Sequence, residues 1–181
     1  MKYTLLLLFA LGCISSCSIP AENEKPVFQV NYLALMENEI AILEDNKSEI
    51  SKTIYYNRTR ESKNFRHPDW RTELRPFLAC NVQTPATDKL YSVFNRNSGD
   101  SLIISYIAKE ENLEIRSLEI ILIKNKFEGA KAILFKKNSY FTLRESLHYT
   151  SLRGYTISGA QKMMLAAETI YRVQAQFVKP S

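Results

Sequence analysis

Ser139-Tyr140-Phe141-Thr142-Leu143-Arg144-Glu145-Ser146-Leu147-His148-Tyr149 carries its apolar side chains mostly at every second position. Successive residues of a strand point to opposite faces, so Phe141, Leu143, Leu147 and Tyr149 share one side of it. Thr142, Arg144, Ser146 and His148 share the other. The same alternation returns near the C-terminus, where Thr169, Tyr171, Val173, Ala175 and Phe177 face away from Arg172, Gln174 and Gln176. One apolar and one polar face is the pattern of an antiparallel sheet packed on a core from one side.

Working outward, turn-forming clusters at 95–100, 110–112, 124–129, 137–138, 151–154 and 158–159 divide the region after Thr84. They imply a meander of about seven strands. Two of these strands break the alternation: Leu102-Ile103-Ile104 and Ile120-Ile121-Leu122-Ile123 are apolar at consecutive positions. Such runs predict cover on both faces of the middle of the sheet. Helices supply one cover. The other is either the sheet curling on itself or a cavity over 102–107 and 120–123 that takes an apolar ligand.

The helices precede the strands. From Asn31 onward, Leu33, Met36, Ile40, Leu43, Ile50 and Ile54 recur at helical spacing, with Lys47 in the one polar slot. They predict a single amphipathic helix whose other faces present Glu37, Glu39, Glu44, Asp45 and Glu49 to solvent. A basic segment follows, with Arg58, Arg60, Lys63, Arg66, Arg71 and Arg75. It reads first as a solvated loop pairing with the acidic helix, and second as a surface for anionic headgroups or glycans. Pro68-Asp69 then opens a short helix with Trp70, Leu74, Phe77 and Leu78 on one face, which Pro76 kinks or ends near Cys80. The expected fold is α+β: an amphipathic helix and a short second helix packed on a curved antiparallel meander, in a single domain spanning 30–181.

The N-terminus supplies an address. Lys2 precedes the apolar run Leu5-Leu6-Leu7-Leu8-Phe9-Ala10-Leu11, which is too short to span a bilayer and reads as a secretory signal over 1–16. The run ends in cysteines preceded by small residues, and it resembles the lipobox of bacterial lipoproteins. Cys17, after Ile14-Ser15-Ser16, fits that pattern better than Cys13, whose preceding Leu11 is bulky. Acylation of Cys17 predicts a lipid-anchored protein of the cell envelope, at the outer membrane, since two or more acyl chains hold a protein stably. The stretch 17–29, with Pro20 and Pro26 among polar residues, suits a flexible tether.

Composition narrows the chemistry. The 181 residues carry a net charge of +5, two histidines and three cysteines. That modest excess argues weakly for nucleic acid, and an export signal argues against it. With Cys13 removed and Cys17 acylated, Cys80 has no disulfide partner and reads as a small buried hydrophobe. No metal-ligand spacing links Cys80, His67 and His148, so neither metal nor cofactor is expected. No phosphate-binding glycine loop is present. The carboxylate pairs Glu110 with Glu111 and Glu114 with Glu119 read as turn and strand residues. The weak chemical candidates are Cys80 and His148, as nucleophile and base of a hydrolase.

Trp70-x-x-Glu73-Leu74-x-x-Phe77-x-x-Cys80-Asn81-x-x-x-Pro85, together with Gly154-Tyr155-x-Ile157-x-Gly159-x-Gln161, resembles the uncharacterised small lipoproteins of Bacteroidota over 70–177. The resemblance implies the envelope address and an α+β fold, and no reaction. The expected function is a non-catalytic binding or interaction module with an envelope protein as partner. The alternatives are a carrier of a lipid or other apolar ligand and, third, the hydrolase.

Overall fold

A computed structural model describes residues 30–179; the signal 1–16, the tether 17–29 and the two lipidation candidates, Cys13 and Cys17, lie outside the described residues. The expected α+β architecture is present, with short helices packed on a curved, open antiparallel sheet. Helix α1 (Tyr32–Asp45) leads into the hairpin β1 (Glu49–Tyr56) and β2 (Thr59–Phe65), and α2 (Trp70–Glu73) and α3 (Arg75–Leu78) follow. The meander comprises β3 (Tyr91–Ser98), β4 (Ser101–Ala108), β5 (Ile115–Ile123), β6 (Lys126–Lys137), β7 (Phe141–Thr150), β8 (Gly154–Met163) and β9 (Thr169–Val178). The nine strands lie in the order β2-β1-β9-β8-β7-β6-β5-β4-β3.

The seven-strand meander after Thr84 is as expected, but the single long helix is not. Asn31 caps α1, its side-chain oxygen accepting from the Ala34 N–H at 3.0 Å. The helix ends nine residues before the end of the apolar stripe, at Tyr32–Asp45 rather than through Ile54. Lys47 takes a positive φ of 48°. Its N–H donates to the Glu44 carbonyl at 2.9 Å, and the Ser48 N–H donates to the Leu43 carbonyl at 3.0 Å. These two bonds form a Schellman stop, with lysine where glycine is usual. Ile50 and Ile54 therefore belong to β1, where they face Phe177 and Val173 of β9. The basic segment is likewise no single loop: Arg60 and Lys63 belong to the exposed edge strand β2, and Arg71 and Arg75 to α2 and α3. Arg71 does reach Glu37, while Arg60 and Lys63 lie over the rings of Tyr55 and Phe65, 5.6 and 5.2 Å from their centroids.

The second helix breaks as its proline requires. Asp69 caps α2, accepting from the Thr72 N–H at 3.0 Å, a bond that holds its carboxyl below the ordinary carboxylate range. Leu74 separates α2 from α3, and Pro76 sits in the first turn of α3, where a missing N–H costs little.

The core lies between these helices and one face of the sheet. Tyr32, Met36, Ile40 and Leu43 of α1 join Trp70, Leu74, Phe77 and Cys80, and opposite them lie Ile104, Leu118, Ile120, Leu147 and Tyr149. Trp70 meets Phe177 edge-on at 4.9 Å, and Phe77 packs between Tyr149 and Tyr155 at 5.5 and 5.4 Å. Two carboxylates pin the helices to this face. Glu39, expected in solvent, is buried and accepts from Tyr149 Oη at 2.8 Å, Ser151 Oγ at 2.9 Å and the Leu152 N–H at 2.9 Å. Glu73 of α2 lies 2.6 and 2.8 Å from Lys52 Nζ by its two oxygens and also accepts from Tyr155 Oη.

Ser158 and Gly159, read as a turn, sit in the middle of β8. The glycine is needed there because the Tyr171 ring lies across it, 2.5 Å from where a Cβ would stand, with the Tyr171 hydroxyl donating to Glu145. Gly129, also assigned to a turn, lies within β6 at a register shift opposite Ile121.

Removal of the Glu39 carboxylate leaves a buried hydroxyl and two further donors unpaired. Glu39→Ala should therefore lower the unfolding free energy measured in urea by about 3 kcal/mol. Glu37→Ala, which breaks an exposed pair with Arg71, should change it by less than about 1 kcal/mol.

Candidate functional site

Helices cover one face of the sheet, and among the described residues none covers the other. Strand register defines what that second face displays. One row across it reads Tyr55, Arg172, Ser158, Ser146 and Ile133, from β1 through β9, β8 and β7 to β6. The next row reads Thr53, Gln174, Thr156, His148 and Lys131, with Glu119 of β5 beyond. On the other side of the first row lie Ile170, Ala160, Arg144 and Phe135.

In the stretch 156–160, β8 contributes only small side chains to this face, Thr156, Ser158 and Ala160, with Lys162 beyond them. Larger ones stand on both sides, with Ile133 and Phe135 on β6 and Ile170 and Tyr55 on β9 and β1. A trough results. Its apolar part is a cleft of about 610 Å³ lined by Tyr55, Ile133, Phe135, Ile170, Arg144 and Arg172, with Ser146 and Ser158 in its floor. Beside it, sharing Tyr55, is a polar cleft of about 530 Å³ lined by Thr53, Arg60, His148, Thr156, Gln174 and Gln176. The apolar side chains are accessible: Ile170 is 61% and Ile133 46% exposed.

The expected cavity over 102–107 and 120–123 is displaced. On the helix-free face Ile103 and Ile121 are half-buried and Ile107 is exposed, so this stretch is open apolar surface alongside the trough. Ile104, Ile120 and Leu122 point the other way into the packed core. The run's two-sided apolarity therefore reflects a covered face and an uncovered one, where cover on both was expected.

The residues proposed for hydrolysis do not meet. Cys80 is buried among the helices, where its Sγ donates to the Pro76 carbonyl at 3.2 Å. Burial, aided by Glu145 and Glu114, pushes its thiol up to about 12, so the thiolate is disfavoured. His148 is exposed on the opposite face of the sheet. Partial desolvation and then the neighbouring Lys131 lower its pKa from 6.5, which leaves it largely neutral near pH 7. His67 is exposed beside the second helix. No group of three His, Cys, Asp or Glu side chains gathers at a metal-sized site among the described residues. Burial raises Tyr149 and Tyr155 above the ordinary tyrosine value, and their hydrogen-bonded partners Glu39 and Glu73 raise them further, so both remain neutral donors that hold helices in place.

No family model matches the chain, and no curated protein does. Among solved structures it is similar to the S-type phycobiliprotein lyase CPES from Guillardia theta, at 8% identity and a TM-score of 0.26, over 84% of this chain and 99% of that one. A likeness of that degree assigns neither activity nor ligand. Among the described residues no helix is long and apolar enough to cross a membrane.

Proposed function

We propose that this protein is a lipid-anchored, non-catalytic binding module of the cell envelope that holds an apolar small molecule on the helix-free face of its sheet. The observation that carries the reading is the apolar cleft above β8. Its volume, about 610 Å³, lies within the range of small-molecule sites. Its walls combine side chains that a monomeric protein has reason to hide with a floor of small ones. The opposite face packs against the helices, with Leu118, Ile120 and Ile104 fully buried. The anchor rests on the lipobox-like run ending in Cys17, and kinship with the Bacteroidota lipoproteins rests on the motifs quoted above.

The neutral fluorophore N-phenyl-1-naphthylamine should brighten on binding the protein. Ile170→Asp, a substitution at an exposed position, should leave the far-ultraviolet circular dichroism unchanged and weaken the probe by about tenfold or more. Lack of any binding by the unmodified protein would contradict the reading. For the anchor, full-length protein expressed in a bacterium should fractionate with membranes and lose both acyl label and membrane association in Cys17→Ala. Retention of both would assign the anchor elsewhere.

A further inference from the structure

The geometry points to an acidic head group on the molecule in the apolar cleft, held by Arg144 and Arg172. This deepens the binding reading above and rests on it. The ligand is then a single-chain amphiphile, with an apolar body between Phe135 and Ile170 and a carboxylate or phosphate at one end.

Two guanidinium groups border a cleft whose other walls are apolar. Arg144 projects from β7 and Arg172 from β9, on the same face, with β8 between them. Adjacent strands lie about 4.8 Å apart, so the two Cα positions are separated by roughly two strand spacings and two residues along the strand. Long, forked side chains from both can converge on one acid across the small residues Ser158 and Ala160. The Arg144 guanidinium is already positioned: it lies over the Phe135 ring at 5.6 Å, and Arg116 lies over the same ring at 5.0 Å.

Neither arginine is in an ion pair among the described residues, where the pairs engage Lys52, Arg71, Lys124, Lys136 and Arg153. The nearest acid in sequence, Glu145, also borders the cleft, but it alternates to the other face of β7 and its carboxylate is engaged by the Tyr171 hydroxyl. Glu119 lies opposite Lys131, one row and four strands from Arg172. The cleft thus has apolar walls and uncompensated positive charge, a combination suited to an amphipathic acid rather than to a neutral hydrocarbon. Arginine's planar fork matches a carboxylate or phosphate in two-point contact.

The test is calorimetric titration of the protein with dodecanoate, dodecyl phosphate and dodecanol, each below its aggregation concentration. Arg144→Gln and Arg172→Gln remove the charge and leave a shorter, neutral amide, and both positions are exposed, so folding is not at stake. The acids should bind the unmodified protein about tenfold or more tightly than the alcohol, and each substitution should weaken them by about tenfold while leaving dodecanol unchanged. The tighter of the two acids identifies the head group as carboxylate or phosphate. Equal binding of acid and alcohol, or acid binding unaltered in both variants, would overturn the head-group inference while leaving the apolar cleft intact. Failure of all three compounds to bind would overturn both.

Discussion

Because successive side chains of a strand point to opposite faces, packing three short helices on one side of this sheet commits every second residue of β6 to β9 to the other side. That constraint organises the molecule. On the covered face, Leu147, Tyr149, Tyr155 and Ala175 are buried beneath α1, α2 and α3. On the uncovered face, Ser146, Thr156, Ser158 and Arg172 are free to form a trough, and nothing in the core dictates their identity. A site on this face can be altered without rebuilding the fold beneath it.

The covered face is closed by polar contacts as much as by apolar ones. Glu39 ties α1 to the turn between β7 and β8, and Glu73 ties α2 to β1 and β8. Each carboxylate has its partners in place, which is what makes burial tolerable. Their positions keep the helices against the sheet, where Ile104, Leu118 and Ile120 are fully buried. The side where Arg144, Arg172, Ile133 and Ile170 stand is the one the helices leave open.

Much of the fold was legible in the sequence wherever the signal was local. The alternation from Phe141 to Tyr149, the start of α1 near Asn31, the Asp69 start and the Pro76 break all follow from neighbours along the chain. The misread elements depend on distant partners. Ile50 and Ile54 continue the spacing of Leu33 through Leu43, yet they pair with Phe177 and Val173 across β9, and the helix stop at Lys47 lacks the glycine that would announce it. β2, Thr-Arg-Glu-Ser-Lys-Asn-Phe, is an exposed edge strand with no apolar pattern to read. Glu39 resembles its solvent-facing neighbours and is distinguished only by Tyr149 and Ser151, more than a hundred residues away. The trough was hidden for a related reason. Gly159 looked like a turn, when its missing side chain makes room for Tyr171, and without β8 as one strand its small residues could not be aligned between Phe135 and Ile170.

The most direct test of the account is which face of the sheet a ligand touches. Isoleucine methyl groups report it: Ile133 and Ile170 lie on the helix-free face, and Ile104 and Ile120 lie in the core. In methyl nuclear magnetic resonance spectra recorded during titration with dodecanoate, the resonances of Ile133 and Ile170 should move progressively while those of Ile104 and Ile120 stay in place. Shifts concentrated at Ile104 and Ile120, with Ile133 and Ile170 unmoved, would place the ligand between helices and sheet and contradict the account.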